Sequence, residues 1–312
     1  MKKLTKVFLV VITLMALGVS WYYFTEGSVS FSLKDAESSA IDTVENKVVE
    51  QLEDKSFTEF EERKANRQFL NELIESYLKE LPSPTQVLFK LKSDGLVYNE
   101  SLINDFNKFD SYLIISDKSA INLGVYASDI AYLSAYGKLQ EVINYLNVSR
   151  QMSDRLGVTS AFDIKIKEEF IKNFENKKKI ESLINRSIQS TTDILRTDDR
   201  TKTAILLLAG AYIEGLYISS NMVNPNSKVW FEGIEMIKDQ ENSLDGIIDL
   251  LNQLDSNERM DSLLSDFENL KEVYQDIHIG KENEEVDPES IAAFVMEVNK
   301  IRVKMVSPSL HL

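Results

Sequence analysis

The sequence predicts an all-α protein, a multi-helix bundle or a stack of helix hairpins behind an N-terminal signal or anchor segment. Three observations predict it. Apolar residues recur at the three- and four-residue spacing of a helix face through most of the chain. Only five prolines and 11 glycines punctuate 312 residues, too few turns for a sandwich or barrel of short strands. The 43% hydrophobic content at that length supports a sizeable core, in one large helical domain or two smaller ones.

The chain opens with Lys2, Lys3 and Lys6, followed by an uncharged run from Val7 to Phe24. A basic start before an apolar stretch is the pattern of an export signal or a membrane anchor. Gly18-Val19-Ser20 supplies small residues for cleavage before Trp21. The 18-residue run is also long enough to span, and Trp21-Tyr22-Tyr23-Phe24 would make an interfacial belt. Either way, lysines before the run and acids after it place residues 25–312 outside the cytoplasm.

Residues 25–81 read as an amphipathic helical segment, either a stalk or a packed pair. Ile41, Val44, Val48 and Leu52 mark one face, and Phe69, Leu70, Leu73, Ile74, Tyr77 and Leu78 a second. Leu81-Pro82-Ser83-Pro84 ends it, with Ser83, Pro84 and Gln86 set to cap the next helix. The main domain, 82–279, begins with an irregular stretch around Asp94-Gly95. A helix hairpin over 117–136 and 138–156 follows, turned at Gly137 and closed by Gly157. Further helices are expected over 162–174, 177–195, 199–223, 227–254 with a break near Gly246, and 257–277. An acidic loop and C-terminal helix, 280–312, complete the chain. Asp287-Pro288 caps that helix, and Lys300, Arg302 and Lys304 suit the negative end of its dipole. No fixed-period repeat is evident.

Composition narrows function. Past residue 24, the 35 basic residues less those three lysines face 50 acids, a balance of −18. Such a surface repels phosphate backbones and anionic head groups, so no nucleic acid is expected, and membrane only through residues 7–24 if uncleaved. Zero cysteines remove disulfides, thiolate catalysis and lipid attachment through cysteine. With two histidines, His278 and His311, histidine triads and metal sites are poorly supplied, and no metal or cofactor is expected.

Two isolated acids stand out. Glu214 is the one charge in the fifteen residues from Ala204 to Ile218, a stretch suited to a central core helix. Ala209, Gly210, Ala211 and Gly215 would let another helix approach closely. Asp129 sits in an equally apolar helix with Tyr126 near it and Asn122 seven residues earlier on the same face. Asp129, Glu214, Asn122, Tyr126 and Tyr212 are therefore the ligand-binding or buried-polar candidates. A buried carboxylate needs a cation or several donors. The two acids serve either as a general acid and base or cation ligands, or as structural partners of a lysine, arginine, tyrosine or helix end.

Other patterns carry less. Ser76 and Lys79 have serine–lysine spacing on a surface helix, with no companion motif. The acidic runs 239–245 and 282–287 lack a calcium loop's central glycine. Asn99, Asn147 and Asn185 match the glycosylation pattern, two of them inside expected helices. Trp230 and Phe231 read as core.

The stretches Leu123-Gly124-Val125-Tyr126 through Asp129 and Gly210-Ala211-Tyr212-Ile213-Glu214-Gly215-Leu216-Tyr217, with Leu81-Pro82-Ser83-Pro84, are similar to a family of exported all-helical proteins of Bacteroidetes-type bacteria. That family is uncharacterised in activity, and its members are often lipoproteins. The resemblance covers roughly residues 80–220 and implies an all-helical envelope protein, with Asp129 and Glu214 as characteristic positions. This chain departs from the pattern in having Trp21 where the lipoprotein cysteine would stand. The expected function is an extracytoplasmic binding or scaffolding protein of the cell envelope with protein partners, not an enzyme. The alternatives are a hydrolase or cation-binding protein built on Asp129 and Glu214, and an extracytoplasmic sensor subunit.

Overall fold

The computed structural model describes residues 61–308 except 63, 79–83, 159–163, 198–199, 224, 226–229 and 280–285. The chain divides into two compact units, Met1–Lys64 and Ala65–Leu312, and the second contains the helical bundle. The N-terminal segment, the amphipathic pattern before residue 60, Ser83 and His311 lie outside the described residues.

The fold is an all-α bundle. In chain order come α1 (65–78), α2 (Pro84–Ser93), a short α3 (Phe109–Tyr112), α4 (Ser116–Ala135), α5 (Leu139–Arg155), α6 (Ile164–Lys172), α7 (Lys177–Thr197), α8 (Thr201–Met222), α9 (Trp230–Lys238), α10 (Glu241–Asn252), α11 (Glu258–Gln275) and α12 (Pro288–Val306). The expected hairpin is α4 and α5, turned at Gly137, whose φ of +72° only glycine adopts without strain.

α4 and α8 form the axis of the bundle and pack on each other more extensively than any other pair. Both are apolar on every face, which fits helices enclosed on all sides. α4 is buried from Lys118 to Ala135. α8 is long and apolar enough to cross a membrane, and here it is surrounded by other helices. α5 packs against this axis on α4, α2 and α7 pack on both α4 and α8, α9, α10 and α12 pack chiefly on α8, and α11 lies across α10 and α12. α1 joins the core through Leu70, Ile74 and Tyr77, and Arg196 of α7 donates to its Asn71 at 3.2 Å.

Two details of the α9–α12 region correct the sequence reading. The break expected near Gly246 falls at Asp239-Gln240, between α9 and α10. Gly246 lies inside α10, where the Tyr77 ring covers it: a Cβ there would come within 2.5 Å of Tyr77 Cδ2. That glycine serves packing rather than chain reversal.

The N-terminus of α12 is as expected, with the Asp287 carboxylate accepting from the backbone N–H of Glu289 and Ser290 at 3.1 Å. Its C-terminus is not served by its own cations. The last carbonyls accept instead from Tyr112 Oη (to Val306, 2.9 Å), Lys118 Nζ (to Lys304, 3.0 Å) and Asn122 Nδ2 (to Met305, 3.0 Å). Lys304 turns to Asp266 at 2.5 Å, and Arg302 turns inward. A buried carboxylate outcompetes a helix end whose carbonyls already have other donors, because low polarizability around it strengthens the attraction.

Candidate functional site: a buried carboxyl pair under a backbone strap

The site follows from how α4 and α8 cross. Gly124 and Gly210 face each other's helix at backbone contact. A Cβ on Gly124 would lie 2.0 Å from the Leu207 carbonyl oxygen, and one on Gly210 would lie 2.1 Å from that of Ile121. Ser128 Oγ closes the same crossing by donating to the Ala211 carbonyl at 2.7 Å. About one turn farther along each helix stand Asp129 and Glu214. The approach that the glycines permit brings these two side chains into hydrogen-bond contact.

Both acids are fully buried. Glu214 is held by a fork from α12: Arg302 Nε and Nη2 each donate to one carboxylate oxygen at 3.0 Å. The guanidinium also stacks over the Tyr217 ring, 4.3 Å from its centroid. Asp129 accepts the backbone N–H of Asn104 at 3.3 to 3.4 Å.

Two carboxylates and one guanidinium leave one negative charge uncompensated, and two carboxyl groups bond only if one carries a proton. Burial, reinforced by the Glu214 charge, holds Asp129 well above the usual carboxylate range despite the opposing pull of Arg302 and the Asn104 N–H. Burial raises Glu214 as well, against a stronger opposition from Arg302, its bidentate partner. Burial therefore favours a proton on the pair, more strongly at Asp129, which lacks the guanidinium fork that Glu214 has.

A segment of backbone, residues 96–108, covers Asp129. Tyrosine hydroxyls from the helices hold it. Tyr136 donates to the Leu96 carbonyl at 2.7 Å, Tyr126 to Asp105 at 3.2 Å and Tyr145 to Asn104 at 2.6 Å. The Tyr132 hydroxyl accepts the Asn99 N–H at 2.8 Å. Tyr112, at 3.2 Å, accepts from the Asn104 side-chain amide. Burial raises these phenols, Tyr112 to about 12, so they remain neutral donors at physiological pH.

Of the five sequence candidates, Asp129, Glu214 and Tyr126 gather here. Asn122 points along α4 to the end of α12. Tyr212 lies in a different neighbourhood, its hydroxyl on the Gln240 carbonyl at 3.2 Å beside Tyr274. Arg302, Asn104, Tyr145 and Tyr217 belong to the site and were missed. Arg302 left a trace: Ile291, Phe294, Val298, Ile301 and Met305 are the buried stripe of α12, and residue 302 borders it.

Chemically the cluster is suited to holding one proton between two buried carboxyl groups. Among the described residues no group of three or more His, Asp and Glu side chains is gathered to hold a metal ion. An acid whose folded form titrates above its unfolded one stabilises the fold at low pH. It gives up that contribution as pH rises from the ordinary carboxylate range towards the raised value, by about 1.4 kcal/mol per pH unit per proton. Asn at position 129 would donate to Glu214 and accept from Asn104 with no proton to lose. Asp129→Asn is therefore expected to gain stability over the wild type as pH rises from about 5 to about 8. Urea unfolding of both proteins across that range checks it, and a difference that stays constant with pH would contradict it.

No family model, curated protein or solved structure matches the chain.

Proposed function

We propose that the protein is an extracytoplasmic helical binding or scaffolding protein of the bacterial cell envelope rather than a hydrolase. The observation that carries this reading is the direct contact between Asp129 and Glu214. Carboxyl pairs that cleave glycosides stand about 5 to 9.5 Å apart, leaving room for the sugar carbon or a water. Here the two groups are in hydrogen-bond contact, and Glu214 has a fixed guanidinium partner. Asp129, Glu214 and Arg302 join α4, α8 and α12 to one another. The lysine-led apolar segment 2–24 supports the address, as does the resemblance to exported helical proteins. The acidic surface supports a protein partner over nucleic acid.

The test uses the full chain with alkaline phosphatase fused at its C-terminus in a bacterial host. Export predicts active phosphatase, lost when Val10, Ile12 and Leu14 are replaced by arginine; an inactive wild-type fusion overturns the address. Cross-linking in intact cells is expected to trap a discrete protein partner. Hydrolysis of glycoside or ester substrates by the purified chain, abolished by Glu214→Gln, would replace this reading with the hydrolase.

A further inference from the structure

We propose that the strap over residues 96–108 is a proton-gated lid, closed while Asp129 and Glu214 share a proton and opened when that proton leaves to solvent. This does not rest on the proposed address or partners, and it stands or falls separately.

The argument begins with which neighbour can move. Loss of the proton puts two carboxylates in contact, with one guanidinium, bonded to Glu214, to offset both charges and full burial around them, so the charged pair demands water. α4 and α8 cannot part to admit it, because they touch backbone to backbone at Gly124 and Gly210. α12 is held by the buried Phe294, Val298, Ile301 and Met305, and its Arg302 is drawn more strongly to the site as negative charge grows. The strap is the weak wall. Leu102 and Asn104 are its only buried residues, and its regular structure is two 3-10 turns of three residues each. It is attached by hydroxyl-to-backbone hydrogen bonds, which net about 1 kcal/mol apiece because water replaces them, and by half-buried side chains: Leu96, Ile103 and Phe106 pack on the core and Tyr98 stacks on Tyr132. Segments with few buried apolar contacts and exposed backbone open first.

The strap is also wired to the proton. The Asn104 N–H donates to Asp129, and the Asn104 carbonyl accepts from Tyr145. The charges facing the pair come from every wall. Arg302 lies on α12, Lys108 and Asp105 on the strap, and the neutral phenols of Tyr112, Tyr126, Tyr145 and Tyr217 on α3, α4, α5 and α8. Burial raises both Asp129 and Glu214, so a proton is favoured on this pair above the ordinary carboxylate range. Opening exposes a polar recess with a guanidinium, two carboxylates and several phenols, the equipment to bind a small polar ligand that the closed form excludes.

Hydrogen exchange resolved by mass spectrometry, expressed as protection factors so that the intrinsic pH dependence divides out, tests the lid in the full chain from pH 5 to pH 9. Peptides spanning 96–108 are expected to lose protection with rising pH, approaching tenfold per unit for the release of one proton. Peptides at the centres of α4 and α8 should hold theirs. Asp129→Asn, which keeps both hydrogen bonds and has no proton to lose, should hold the strap closed at every pH. Tyr145→Phe should lower strap protection about fivefold throughout while keeping the pH slope. Strap protection that is flat in the wild type, or that falls equally in Asp129→Asn, overturns the lid. Should Asp129→Asn not fold, carboxyl-carbon NMR of the wild type decides: both acids ionised by pH 6 would overturn it, and a shared proton retained to higher pH supports it.

Discussion

Alanine at Gly124 or Gly210 is expected to cost the protein at least about 3 kcal/mol, a fall in Tm of roughly 6 to 12 °C for a unit of this size. The obstacles are main-chain carbonyl oxygens 2.0 and 2.1 Å from the added methyl, and they belong to α8 and α4 themselves. No rotamer change clears them, so the two central helices must separate along their whole length, and every apolar contact between them loosens. Gly246→Ala is the fitting comparison, since its methyl would meet the ring of Tyr77, a side chain that can shift. A smaller loss is expected there. The double variant Gly124→Ala/Gly210→Ala should cost less than the two singles together, because one separation of the helices relieves both clashes. Thermal or urea unfolding measures all four, and a loss below about 1 kcal/mol in the single crossing variants would mean that the helices pack with more slack than this geometry allows.

Arg302→Met is expected to produce a loss of similar size by a different route. It strips the Glu214 carboxylate of both hydrogen bonds and its countercharge while leaving it fully buried. Breaking a buried pair on one side costs about 3 to 5 kcal/mol, much of it the penalty on the charge left behind. Glu214 can escape part of that penalty by taking up a proton, so the loss should shrink at pH 5 and grow towards pH 8. Replacing both partners, as Arg302→Met/Glu214→Gln, removes the stranded charge and should recover much of the stability. Arg302→Lys should fall between, because an ammonium cannot reproduce the fork or the stacking on Tyr217. Unfolding free energies for this set at two pH values give the coupling directly. An Arg302→Met loss that is independent of pH would show that Glu214 does not feel the missing charge.

Much of the bundle could be read from the chain because burial leaves a compositional mark. Ala204 to Ile218 and Ile121 to Leu133 are apolar on all faces, and they proved to be the two axial helices. Within them Asp129 and Glu214 were conspicuous for the same reason, as charges that such surroundings would not tolerate without a partner. The identity of the partner was not legible. Residues 129 and 214 meet only because Gly124 and Gly210 set the crossing point, and the chain between them gives no indication of where two helices cross. Arg302 was assigned to a helix dipole because, for one helix considered alone, a cation near the C-terminus has that role. Its true partner is on another helix. The strap was legible only as an irregular stretch: a segment with neither a period of 3.6 nor of 2 gives no sign of what it covers, and of the tyrosines that hold it only Tyr126 stood out.

The separation of α4 from α8 along the chain dictates an order of assembly. Ser128 bonds to a residue 83 positions later, and Glu214 waits a further 88 for Arg302. A chain that emerges N-terminus first, from a ribosome or through a translocation pore, presents α4 long before there is anything to enclose it. The hairpin with α5 can form early, being local, but it leaves the other faces of α4 wet until α8 follows. Even then the carboxyl pair has no countercharge until α12 arrives. The protein is thus obliged to complete its centre last, so its nascent form needs either a holding chaperone along the way or a final helix that docks quickly once it appears.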